Sequence, residues 1–393
     1  MDTTDGGAQY RRSTAPVLDH MSTWIELFYD LIFVAAILIF SAAVEHIHPS
    51  YDVSWIVLVF AASWWVWFTT TVCANRFHMS DFYHRQLLLF QMLVIVLMAV
   101  EARVSVTRDS TYLALEYGLL LLTIAIMYFR AFRRPGPDRK YAGRMASLNA
   151  LVGVLFVVAV LLPETARLVV SGVALILLVG PSIGLLSQMQ EFSEADERHI
   201  AERMGAFTLI VCGESFVEIA LSVSGAVITR VDVFSLVFEF ILVFAIFTSY
   251  FEDIPAAGLD QRLFGWWATL HLVVQISIAA TAVSASKLIS LSINRRLPDL
   301  EILRLTVPLA IFYLALAGIG ACTRRRPRGP LALLRLVTSL AVAVVGAAAW
   351  WIPWIHMEEA LPILTAVAII HALIVVRVRR STQTVRPGAL STN

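Results

Sequence analysis

Charge is the scarcest property of this chain. Only 15% of its 393 residues are Asp, Glu, Lys or Arg, while 59% are hydrophobic, and a soluble globular domain normally carries about a quarter charged residues. That class is excluded from the start. Cysteine is almost missing too: Cys73, Cys212 and Cys322 lie within or at the ends of apolar stretches, and no pair has metal-site spacing. They read as small packing residues. The formal net charge is +1, so there is no basic excess with which to hold DNA or RNA, and no nucleic-acid partner is expected. The polar segment Met1 to His20 has no apolar core ahead of a small-residue cleavage site, which argues against a signal peptide. The first hydrophobic span must then act as its own insertion signal.

What the chain does have is a series of apolar segments of bilayer-crossing length, near 24–47, 53–75, 86–104, 111–132, 145–162, 166–189, 204–227, 231–251, 265–290, 303–322, 331–352 and 358–376. The expected fold is all-α, a polytopic membrane helical bundle of about twelve transmembrane helices. Residues 1–23 and 379–393 are tails, and the membrane domain spans 24–378. Halves 24–189 and 204–378 are joined by a charged amphipathic connection, 190–203. Of the 30 Lys and Arg residues, 22 fall in the tails and alternate loops and 8 in the opposite set, which puts both termini in the cytoplasm of a bacterial inner membrane. The loop around Asn294 to Arg304 is the exception.

Polar residues are few enough to be weighed one by one. Glu26 and Asp30 share a helix face at the start of the first span, WIELFYDLIFVAAILIFSAAVEHI. An ionised side chain in lipid costs at least roughly 2.5 kcal/mol, so such acids face a bundle interior, a partner or water; the alternative for Glu26 is a place among headgroups. The second span is loaded with Trp64, Trp65 and Trp67, as tight packing or as a pocket wall. The loop NRFHMSDFYHRQ holds Arg76, His78, Asp81, His84 and Arg85, with spacings that let His78, Asp81 and His84 meet one ion on a helical turn, or simply a solvated positive-inside turn. Gly180–Pro181, with Gly184, is expected to interrupt the sixth span. Glu202 and Arg203 stand at the cytoplasmic edge of the seventh span, and Glu214 lies twelve residues further in, about 18 Å deep. Gly213 beside it would let another backbone approach, Ser215 would bond back to its own helix, and Glu218 is one turn on. His271 in the ninth span is a packing residue or a ligand or proton carrier.

The stretches ELFYDLIFVAAI, ANRFHMSDFYHR, AERMGAFTLIVCGES and HLVVQ, in this order between Glu26 and Lys287, resemble the bacterial low temperature requirement protein A (LtrA) family. The resemblance implies a multi-pass helical membrane protein, and its matching positions are Glu26, Asp30, Asn75, Arg76, Asp81, His84, Arg85, Glu202, Arg203, Glu214 and Ser215. After the eighth span Tyr250, Phe251, Glu252 and Asp253 stand where relatives have tyrosine, phenylalanine and a single aspartate, so the corresponding acid is ambiguous. The family name records a cold-growth phenotype and gives no reaction.

Most of these positions fall at cytoplasmic helix ends, which predicts a polar vestibule narrowing toward Glu214. Three functions fit. In the first, a proton- or cation-linked transporter, Glu26, Asp30 and Glu214 carry protons, and Asn75, Arg76, His84, Arg85, Glu202, Arg203, Ser215 and His271 bind a small-molecule substrate. No internal repeat supports it. In the second, an enzyme acts on an isoprenoid diphosphate or other lipid-like substrate; Glu26, Asp30 and Asp81 would hold Mg²⁺ and the arginines phosphate, yet no aspartate-rich run is present. In the third, a structural or regulatory membrane protein of cold or stress adaptation, the charges simply pair, for instance Asp81 with Arg85. Cofactor, oligomeric state and substrate are not fixed by the sequence.

Overall fold

The computed structural model describes residues 24–36, 52–79, 81–105, 111–189, 193–222, 230–252, 259–292, 299–323, 329–351 and 357–384. These form twelve long helices: α1 (24–36), α2 (Asp52–Phe77), α3 (Phe82–Ser105), α4 (Thr111–Arg133), α5 (Arg139–Ala159), α6 (Glu164–Leu186), α7 (Glu194–Ser222), α8 (Arg230–Phe251), α9 (Phe264–Ser292), α10 (Asp299–Ala321), α11 (Gly329–Trp351) and α12 (Met357–Thr384). Among the described residues there is no sheet, only an isolated bridge between Leu259 and Thr323. Nine helices, α3 to α6 and α8 to α12, are long and apolar enough to cross a membrane. The chain is therefore a multi-pass helical membrane protein. Helix α1 has only thirteen described residues. Helices α2 and α7, with 26 and 29 residues, are also long enough to span. Asp253 and the basic loop residues Asn294 to Arg296 lie outside the described residues.

Two sequence expectations are corrected here. Helix α6 is not interrupted: it runs unbroken through Pro181, as α10 and α12 run through Pro308 and Pro362. A proline deletes one N–H from the ladder, and neighbouring turns and helices absorb that loss in a bundle. Residues 194–203 are not a separate connection but the first turns of α7 itself. Ser193 and Asp196 start that helix reciprocally: the Asp196 amide donates to Ser193 Oγ at 3.1 Å and the Ser193 amide to Asp196 Oδ2 at 3.3 Å. This is a capping box, which satisfies two otherwise orphaned donors.

Helices α4 and α9 are the most enclosed, with 61% of their central windows buried, against 17% for α6 and 22% for α11, which therefore line the lipid side. Helices α4 and α5 touch backbone to backbone, since a Cβ added at Gly118 would lie 2.9 Å from the Gly153 carbonyl oxygen. Small residues allow such close approach where the hydrophobic effect cannot drive helix association. Gly213 does not play that role, because a Cβ there would meet nothing within 4 Å.

Trp64, Trp65, Trp67 and Phe68 of α2 are fully buried. Trp64 stacks on Phe68, Phe68 meets Phe264, and Trp67 meets Phe207 of α7 with ring centroids 4.3 Å apart. The aromatic cluster is packing that joins α2, α7 and α9. Two buried amides work beside it. Gln91 of α3 accepts from Tyr29 of α1 and Thr70 of α2 and donates to Thr123 of α4. Gln275 of α9 accepts from Trp64 and donates to Thr208 of α7.

Candidate functional site

The centre of the polar cluster is the contact of α1 with α7. Asp30 is fully buried, and its Oδ1 accepts from Arg203 Nη2 at 2.8 Å and from Trp67 Nε1 at 2.6 Å. One turn toward the chain start, Glu26 Oε2 lies 3.3 Å from Arg203 Nη1 and 3.5 Å from His199 Nε2. Glu26 and Asp30 are four apart on α1, and His199 and Arg203 are four apart on α7. Two helices running in the same direction thus meet with matched register.

A small crevice, with room for about one water molecule, adjoins this contact, lined by Glu26, Tyr29, Thr70, Thr71, His199 and Arg203 among others. Around it lie buried polar atoms without a hydrogen-bond partner: Asp30 Oδ2, Thr71 Oγ1, Arg203 Nε, and both ring nitrogens of His84, which is 2% exposed and near Glu26. Native interiors leave few such groups, and a concentration of them marks a place built for something other than packing.

The other expected site residues are distributed around this centre. Arg76 is turned to Asp138, with Nε 2.6 Å from its Oδ2, and lies 3.6 Å from Asp196, while Asn75 donates to the Asp196 carbonyl at 3.3 Å. These two residues join the end of α2 to the starts of α5 and α7. Asp81 is the N-terminal cap of α3: its Oδ1 accepts from the His84 amide at 2.9 Å, and its Oδ2 is 2.5 Å from Arg130 of α4 and 3.5 Å from Arg134 just beyond that helix. Partial burial pushes its carboxyl upward, but the His84 amide and Arg130 outweigh it and hold Asp81 below the usual carboxylate range. Asp81 is accordingly not brought into one set with Glu26 and Asp30, and it pairs across helices instead of with Arg85. Among the described residues no three His, Cys, Asp or Glu side chains are grouped to hold a metal ion.

Glu202 is exposed, about 100° around α7 from its neighbour Arg203, which is buried. Ser215 Oγ bonds back to the Val211 carbonyl at 3.0 Å, as its position on the helix implies. Glu214 is half-buried with one partnerless oxygen. Being eleven residues past Arg203, it lies on nearly the same face of α7, roughly 16 Å further along. His271 is fully buried and separate from the Arg203 cluster, its Nδ1 at 2.8 Å from the Trp267 carbonyl and its ring against Trp267 and Tyr250.

Sequence reasoning missed His199, Tyr29, Asp138 and Asp196, and it named Trp67 as packing or a pocket wall without its bond to Asp30. A signal for His199 was present in the matching four-residue spacings of Glu26 with Asp30 and His199 with Arg203. Nothing in the sequence paired Arg76 with Asp138.

A protein of Rhizobium meliloti (strain 1021), the uncharacterized protein RA0937, is 25% identical over 244 residues, covering 60% of this chain and 59% of that protein. This chain therefore matches somewhat over half the length of that relative. The family described as bacterial low temperature requirement A protein (LtrA) matches residues 21–377, a range that takes in all twelve helices up to the last turns of α12, with Glu26, Asp30, Arg76, Asp81, Arg203 and Glu214 inside it. The chain belongs to the LtrA family.

Proposed function

We propose that this protein is a proton- or cation-linked transporter of the cytoplasmic membrane, with both termini in the cytoplasm and the Glu26–Asp30–Arg203–His199 cluster as the ion-binding station of its inward mouth. The observation that carries this reading is the charge count of the cluster. Two carboxylates, one fully buried and one largely so, face a single guanidinium. With both acids ionised and His199 neutral, the group holds one uncompensated negative charge in a low-dielectric setting, which is costly until a proton, on His199 or on a carboxyl, or a small cation joins it. Arrival of that charge loosens the hold of one acid on Arg203, so ion binding and the α1–α7 contact are linked. Glu214, further along the same face of α7, is the next acid on a path inward. The parallel register of α1 and α7 supports the topology, because it requires an odd number of crossings between them, as the five helices α2 to α6 would supply. Reporter fusions at Asn393 and in the Arg130 to Arg144 loop should both read cytoplasmic.

The enzyme reading finds less support. Arg76 pairs with Asp138 and Asp196, and Asp81 with Arg130 and Arg134, which draws one arginine of the phosphate clamp and one acid of the ion site away from the others.

The test is purified protein in liposomes loaded with a pH-sensitive dye, given an imposed pH gradient and a panel of small ionic solutes. Solute-dependent proton flux in the wild type, abolished in Asp30→Asn and in Glu214→Gln, is the expected result. Turnover of an isoprenoid diphosphate in detergent, without any gradient, that survives Glu214→Gln and dies with Asp30→Asn would overturn it.

A further inference from the structure

A second acid, outside the cluster already described, stands out by its isolation. Glu239 of α8 is 0% exposed, and neither carboxyl oxygen has a hydrogen-bond partner. No comparable group lies in the interior of α8: its remaining buried positions, including Leu242, Val243, Ala245 and Ile246, are apolar until Ser249, which bonds back to the Ala245 carbonyl.

The level of Glu239 in the bundle follows from its neighbours. The Phe240 ring meets Phe216 of α7 with centroids 4.9 Å apart, and Val243 packs with Ile219. Glu239 therefore lies beside the stretch of α7 that carries Glu214 and Glu218, well beyond the Arg203 cluster. Helices α7, α9 and α12 pack against α8. Of their titratable groups, Glu214 and Glu218 stand at this level, whereas His271 of α9 is beside Tyr250 and His371 of α12 beside Tyr313. Thr281 of α9 is occupied by its own helix, bonding to the Ser277 carbonyl.

We infer that Glu239 is an intramembrane proton-binding site whose carboxyl stands protonated at neutral pH. Three states are conceivable for a carboxyl so placed, and their costs rank them. An ionised, partnerless carboxylate inside a membrane protein is penalised far more than a neutral carboxyl, whose unmet hydrogen bonds cost about 1–3 kcal/mol. A bound metal cation would need several oxygen ligands, and among the described residues Glu239 belongs to no group of three His, Cys, Asp or Glu side chains that could hold one. The proton is the ligand that remains. A leucine would fill the position without either cost, so the acid is kept for its proton. This inference is independent of the transport reading, since the protonation state can be measured in resting protein.

The measurement is infrared spectroscopy of the full chain in lipid nanodiscs at neutral pH. The carbonyl stretch of a protonated carboxyl is resolved from the amide bands and shifts in D₂O. The difference between wild type and Glu239→Gln should show one such band lost, and Glu239→Asp should move the band without removing it. Asp30→Asn and Glu214→Gln should leave this component in place. Loss of a carboxylate stretch in the Glu239→Gln difference, or no change in either region for both variants, would overturn the inference.

Discussion

Replacing Arg203 by methionine puts the α1–α7 contact to its hardest test. The substitution keeps most of the side-chain volume and removes the guanidinium that holds Asp30 at 2.8 Å and Glu26 at 3.3 Å. Removing one partner of a buried ion pair costs about 3–5 kcal/mol, because the other charge is left behind. In the unfolding equilibrium this is a shift of more than about two orders of magnitude. Asp30→Asn alone should cost less, about 1.5–3 kcal/mol for one charge-assisted hydrogen bond, since the amide oxygen still accepts from Trp67 Nε1. In Asp30→Asn/Arg203→Met no unpaired charge remains at the deeper position, so the double variant should be more stable than the sum of the single losses by at least about 1 kcal/mol. The assay is reversible unfolding in mixed micelles followed by far-ultraviolet ellipticity, on all four members of the cycle. Glu26→Gln serves as a fifth, since it removes the weaker partner. Additivity of the two single variants within about 0.5 kcal/mol would refute the pair as the organising contact.

Asp81→Ala removes a helix cap as well as a cross-helix pair and should cost about 1 kcal/mol, while Asp81→Asn keeps the cap and should cost less. Because the Asp81 carboxyl is held below its ordinary range, the contribution of its charge is present above the unfolded value of about 3.9 and is lost as pH falls through the lower folded value. Wild type and Asp81→Asn should therefore converge in strong acid in the same unfolding assay, and a gap that widens there would contradict the assignment. At the α4–α5 seam, Gly118→Leu should destabilise by about 1–3 kcal/mol through backbone clash, whereas Gly172→Ala in α6, which meets nothing within 4 Å, should leave thermal stability unchanged or raise it through helix propensity.

The helices were legible because the signal that defines them is one of bulk composition. Runs of apolar residues long enough to cross a bilayer can be read without knowing what packs on what, and helix ends such as those of α4, α8 and α11 fall within a few residues of the expected spans. Asp30 and Arg203 were legible singly, since a charge in an apolar run stands out. Their contact was not, because 173 residues separate them and only packing brings α1 to α7. The same reason hid Arg76–Asp138 and Asp81–Arg130. The break expected at Pro181 failed for the opposite reason: a local rule about proline was applied where the neighbours decide. The start of α7 could have been read earlier, since Ser193 followed by Asp196 three residues later is a capping pattern.

Gln91 and Gln275 carry a consequence for how the bundle responds to acid. An amide side chain does not titrate, so the joints that Gln91 makes among α1, α2, α3 and α4, and that Gln275 makes among α2, α7 and α9, keep their strength from acid to alkali. The joint formed by Asp30, Glu26 and Arg203 is made wholly of groups that carry or exchange charge. The interior is thus wired with two kinds of fastener, one indifferent to protons and one responsive to them. Within the apolar spans a change in proton activity then acts on the seam along α1 and α7, while the amide joints hold α2 to its neighbours as the frame against which that seam moves.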